Sequence, residues 1–177
     1  IEDAYILAHL HRLGALKAVW QPTNPARAVF KSAVQAYLES VRQHVRCQLQ
    51  LKARYRQWGV IPISSEVYTR VGRGLWLKRI TETAIREQLR EQYALLDFHH
   101  EAMVRQRRRM VERGRTFPEI ARLRDIPGVG PVGAHVFVGF IQDPQRFERP
   151  QQLYRYCRLG IRERSSDGKP LGHQQLD

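Results

Sequence analysis

From Ala26 onward, apolar residues recur every three or four positions: Phe30, Val34, Tyr37, Val41, Val45 and Leu49. That spacing is one stripe of a helix, and it predicts a single long helix from Ala26 that ends near Trp58-Gly59. After a break at "GVIPISS", a second stripe follows at Ile80, Ala84, Leu89, Leu96, Met103 and Val111, predicting a second helix from Trp76 to Glu112. Upstream, Ala4, Leu7, Ala8 and Leu10 give a shorter helical pattern in residues 1–20, weakened at Gly14 and set apart by the proline-marked loop "QPTNP". Downstream, "GRTFPE" closes the second helix. A short helix over 118–124, a glycine bend, an apolar helix over 131–141 and a short helix over 151–158 come next. The remaining tail reads as loop with a short strand at most, since no segment alternates strongly. Two helices of ~30 residues would each run ~45 Å. The fold expected is therefore mainly α: a long antiparallel helical hairpin, or coiled coil, followed by a small helical domain.

Charge changes the picture more than composition does. The 177 residues carry 30 Lys+Arg against 17 Asp+Glu, a net of +13. Such an excess is offset by a polyanionic partner, and nucleic acid fits best. No segment approaches the ~18 apolar residues of a membrane-spanning helix. Cys47 and Cys157 lie far apart and point to neither a disulfide framework nor a zinc site, which fits a reducing cytoplasm. His44 and Cys47 share a helix face, but two ligands do not make a structural zinc site; His99 and His100 read as polar helix positions. Basic side chains line the long helices at Arg42, Arg46, Lys52, Arg54 and Arg56, then at Arg105, Arg107, Arg108 and Arg109 in "RQRRRM". These suit phosphate contact and equally suit a solvated helix face.

The stretch "RDIPGVGPVGAHVF" then draws the chemistry together. "IPGVG" between two helices is the pattern of a helix-hairpin-helix, with Pro127 ending one helix and Pro131 opening the next. Gly128, Val129 and Gly130 would present bare backbone, and the N–H groups at the helix start would meet a phosphate. The competing reading is a tight turn whose glycines allow close helix packing, with Gly133 and Ala134 serving the same end. The net charge favours phosphate.

Over the ordered set Ile126 to Gly130, Ala134, Asp143-Pro144 with Phe147, Leu153 with Tyr156, Leu159-Gly160 and Ser165-Ser166-Asp167-Gly168, the sequence resembles the C-terminal domain of the one-ten family of insertion-sequence transposases, relatives of Piv-type DNA invertases. At the other end, Ile1-Glu2-Asp3-Ala4 with Leu7-Ala8 resembles the closing motif of that family's RuvC-like nuclease domain. The resemblance implies three parts. Residues 1–20 would be the tail of the nuclease domain, 26–113 a basic helical hairpin, and 117–177 an incomplete C-terminal transposase domain.

It also implies chemistry. Four carboxylates of a DEDD set, Asp3 among them, would bind Mg²⁺, and a serine, Ser166 or its neighbour Ser165, would attack the scissile phosphate. Arg162, Arg164 and Lys169 flank that serine and would meet phosphate charge. DNA, a structured guide RNA and a second copy of the chain are the partners implied. Taken locally, "RSSDGK" is a surface turn and Asp3 is an acid at a helix N-terminus. The chain opens on isoleucine and stops in a polar stretch, so it is expected to be a piece of a longer enzyme, inactive alone. The alternative function is a non-catalytic helix-hairpin-helix module that binds nucleic acid.

Overall fold

The computed structural model describes residues 2–16 and 19–158, together with the backbone of the pairs 161–162, 165–166, 169–170 and 175–176. The protein is mainly helical. Its helices are α1 (Glu2–Arg12), α2 (Pro25–Gln57), α3 (Arg70–Lys78), α4 (Thr83–Gly114), α5 (Glu119–Arg124), α6 (Pro131–Ile141) and α7 (Pro150–Tyr156). Two compact units emerge, one of residues 26–140 and one of residues 1–25 with 141–177.

Helix α2 starts at Pro25, where the missing N–H costs no hydrogen bond. It stops because Gly59 turns left-handed at φ +72°. The Gly59 N–H then donates to the Arg56 carbonyl and the Val60 N–H to the Tyr55 carbonyl, each at 3.0 Å. This is a Schellman cap, and Val60 packs back on the core as such caps favour.

The second long helix differs from the sequence expectation. The chain is helical at Trp76, but only within α3; it breaks over 79–82 and resumes at Thr83. The reason is burial. On one continuous helix at ~100° per residue, Ile80 and Leu89 would point to opposite sides. Both are buried in the same cluster, with Trp76, Tyr93 and Leu96, and only a break lets both stripes face inward. The Thr69 hydroxyl caps α3 by accepting the Gly72 N–H at 3.0 Å.

Two hydrophobic clusters hold the unit of residues 26–140. One joins Cys47, Leu51 and Tyr55 of α2 to Leu89, Tyr93 and Leu96 of α4, with Trp76 of α3 closing it. The other joins Phe30 and Val34 of α2 to Met110 of α4, Ile120 of α5, and Ala134 and Val138 of α6. The end of α2 thus meets the start of α4, and its start meets the end of α4, so the two helices run in opposite directions. Two polar pairs lie in or beside the first cluster. The hydroxyls of Tyr55 and Tyr93 lie 3.0 Å apart, and Arg73 grips Asp97 through two hydrogen bonds of 2.7 and 2.6 Å. Burial pushes both tyrosines up, Tyr93 well beyond the usual range, while the Arg73 hydrogen bond holds Asp97 below the ordinary carboxylate value.

In the other unit, the Asp143 carboxylate accepts the Gln145 N–H at 2.9 Å and starts a 3₁₀ turn over Pro144–Arg146. The Arg146 guanidinium then lies over Trp20, Phe147 and Tyr156 at 4.7, 4.6 and 4.5 Å. In the tail, Ser165–Ser166 pairs antiparallel with Lys169–Pro170, and Ile161–Arg162 with Gln175–Leu176.

Candidate nucleic-acid interface

The glycine bend is built from a turn and a helix start. After α5, the Val129 N–H donates to the Ile126 carbonyl at 3.1 Å, and Gly128 sits at φ +88°. Proline second and a positive-φ glycine third is the pattern of a type II turn. Val129 itself is half-buried against the second cluster, so its side chain anchors the turn. Gly130 accepts the Ala134 N–H at 3.0 Å, and Pro131 opens α6. The N–H groups of Val132 and Gly133, in the first turn, have no intrahelical acceptor by helix geometry.

What surrounds the glycines decides between the two readings of the bend. A Cβ built on Gly128, Gly130 or Gly133 would meet nothing within 4 Å. Close packing inside the protein therefore does not require them. Ala134 and Val138, in contrast, are buried and anchor α6 in the second cluster. Buried His135 adds a tie: its Nδ1–H donates to the Pro131 carbonyl at 2.7 Å, and its ring lies so close to the end of α4 that a Cβ on Gly114 would come within 2.5 Å.

Helix α4 brings the arginines to this bend. A cleft of about 500 Å³ is lined by Arg107, Arg108, Glu112 and Arg115, and by Pro131 at the start of α6. Of the basic run, Arg107 and Arg108 thus reach the helix start. Arg105 faces Glu101 at 3.7 Å, and Arg109 is exposed on the helix without lining the cleft. Arg115 lies outside the basic run but continues the stripe from Arg108 one further double turn along. On α2, Arg42 pairs with Glu39 at 2.8 Å and Arg54 donates to Gln88 at 2.9 Å. Both arginines are exposed, each held by one side chain of the protein itself.

The remaining candidates stand apart from this cleft. Asp3 is exposed in the first turn of α1. Among the described residues, no three His, Cys, Asp or Glu side chains come together to hold a metal. Cys47 instead meets Gln92, whose side-chain nitrogen lies 3.2 Å from its sulfur. The backbones of Ser165, Ser166, Arg162 and Lys169 lie in the tail pairs; their side chains, and Arg164 altogether, lie outside the described residues. Among those residues no helix is long and apolar enough to cross a membrane.

Residues 120–176 match the family model described as "Transposase IS116/IS110/IS902 family". The match covers about a third of the chain and contains the turn, α6, Asp143-Pro144, Phe147 and the paired serines. It supports a transposase function, with DNA as the partner that function implies. No curated protein and no solved structure matches the chain.

Proposed function

We propose that this chain is part of an insertion-sequence transposase of the matched kind, and that its glycine bend and arginine cleft grip the nucleic-acid backbone. The observation that carries the reading is the exposed glycine backbone at the start of α6, beside Arg107, Arg108 and Arg115. Backbone N–H groups at a helix start and arginine forks both suit phosphate oxygens, and neither reads sequence. The antiparallel pair α2 and α4 then serves as a basic helical hairpin of coiled-coil type, and the α5–turn–α6 segment as a helix-hairpin-helix.

The chemistry proposed is strand cleavage and exchange with Ser166 as nucleophile, Ser165 being its neighbour in the same pair. A serine hydroxyl is a weak nucleophile and needs a base or metal beside it. Asp3 is proposed as one of four carboxylates of a DEDD set for Mg²⁺. That ion, when bound, would stabilise charge on the phosphate. Arg162, Arg164 and Lys169 would offset charge near the serine. A guide RNA and a second copy of the chain are the further partners proposed.

The test is Ser166→Ala in a transposase that contains this chain, with Ser165→Ala beside it. The expected result is loss of the covalent protein–DNA adduct in one variant, with DNA binding retained. An adduct that survives both substitutions sinks the serine mechanism. Binding with no adduct in the parent enzyme leaves the non-catalytic nucleic-acid module instead.

A further inference from the structure

We propose that the arginine cleft continues along α4 as a track for a single strand of nucleic acid, ending in a ring-lined pocket that takes a base. This rests on the nucleic-acid reading of the cleft and assigns the substrate class of that site.

A second cavity, of about 350 Å³, opens between α2, the entrance to α3, and α4. Asp97, His100 and Glu101 line this cavity, and Val104, Arg107 and Arg108 line the arginine cleft. Their steps of three and four residues place all of them on one face of α4. Glu101 and Val104 are a single turn apart, so the two cavities adjoin. From Asp97 to Arg115 the face is about 27 Å long at 1.5 Å per residue. That is room for roughly four or five nucleotides of an extended strand, at the low end of single-strand site sizes.

The charges along this face favour a polyanion. Asp97 is matched by Arg73 and Glu101 by Arg105, while Arg70, Arg107, Arg108 and Arg115 line the two cavities against one further acid, Glu112. The upper cavity is also ringed. His44 and His100 lie 5.4 Å apart at 53°, and Tyr68 sits beneath the Lys52 ammonium at 5.2 Å. Arg73, which lines it, keeps both terminal nitrogens on Asp97. Rings plus a cationic groove is the arrangement that holds unpaired strands, because a free base can leave its stack and lie against a side-chain ring. A closed duplex offers no such base.

The experiment is fluorescence anisotropy on the full chain, with labelled single-stranded DNA, single-stranded RNA and duplex DNA of about ten units at one salt concentration. The expected result is at least tenfold tighter binding of one or both single strands than of duplex. The preferred sugar tells which strand the track serves. His100 is exposed, so His100→Ala leaves the fold intact; it is expected to weaken single-strand binding about tenfold and leave duplex binding unchanged, while His100→Phe retains the strand. Equal affinity for duplex, an indifferent His100→Ala, or a His100→Phe no better than alanine overturns the track. A different failure, in which Arg107→Glu with Arg108→Glu changes no binding at all, removes the nucleic-acid reading beneath it.

Discussion

Gly130 and Gly128 sit two residues apart and answer to different constraints. Gly130 has no positive φ, and a Cβ there would meet open space. Gly130→Ala is therefore expected to leave the melting temperature unchanged or raise stability by up to ~1 kcal/mol through the unfolded chain, yet weaken nucleic-acid binding several-fold by blocking backbone approach. Thermal melts and anisotropy on the same preparation check both halves. Gly128→Ala is expected to cost ~1 kcal/mol, since a side chain at φ +88° is strained. His44 gives a pH test. Burial first, then the charges of His100 and His99, hold its imidazole below the ordinary value of 6.5, with the Leu96 carbonyl opposing; Arg70, Arg73, Asp97 and Glu101 face the same cavity. The folded protein thus binds this proton less readily than the unfolded chain. Its contribution is full above pH 6.5 and is lost as pH falls from there toward the folded value. Melting temperature is expected to drop between pH 7 and 5.5, and His44→Gln to flatten that drop; an unchanged slope would count against it.

Helices were legible wherever local spacing and punctuation agreed. The stripe from Phe30, the Trp58-Gly59 stop and the proline start of α6 all reappear in the structure. The break before α4 was not legible, because nothing local forbids a helix through 79–82; what forbids it is the shared burial of Ile80 and Leu89. Ile80→Ala is accordingly expected to cost about 2–5 kcal/mol, measured by denaturant titration, despite its position between helices. The tyrosine pair tests how α2 and α4 are joined. Tyr93→Phe alone strands a buried Tyr55 hydroxyl and should cost about 1–3 kcal/mol, whereas adding Tyr55→Phe should recover part of the loss. Motif residues taught a similar lesson. Asp143, Phe147 and Tyr156 marked a family resemblance, and in the structure they cap a turn and stack around Arg146. Among the described residues, the sequence candidates Arg107 and Arg108 share a cleft with Pro131, the residue that follows the bend. Arg115 and Arg70 were missed because their meeting with the rest depends on where α4 ends and where α3 begins.

At the scale of the molecule, an excess of +13 predicts that binding is governed by counterion release. Each phosphate contact contributes a slope of about −0.7 to −0.9 in log K against log salt. Arg107→Ala with Arg108→Ala should therefore flatten that slope by about 1.5 and weaken every sequence alike, as read from salt titrations. A flat parent titration would sink both the enzyme and the binding-module readings. The His135 tie has a kinetic consequence. Its Nδ1–H holds the Pro131 carbonyl while its ring abuts Gly114, so the end of α4 and the start of α6 cannot separate without exposing a buried imidazole. If the cleft takes a strand as proposed, its width is fixed by this packing beforehand. Encounter then needs no opening step, and the on-rate should follow ionic strength as a simple charge-steered collision does.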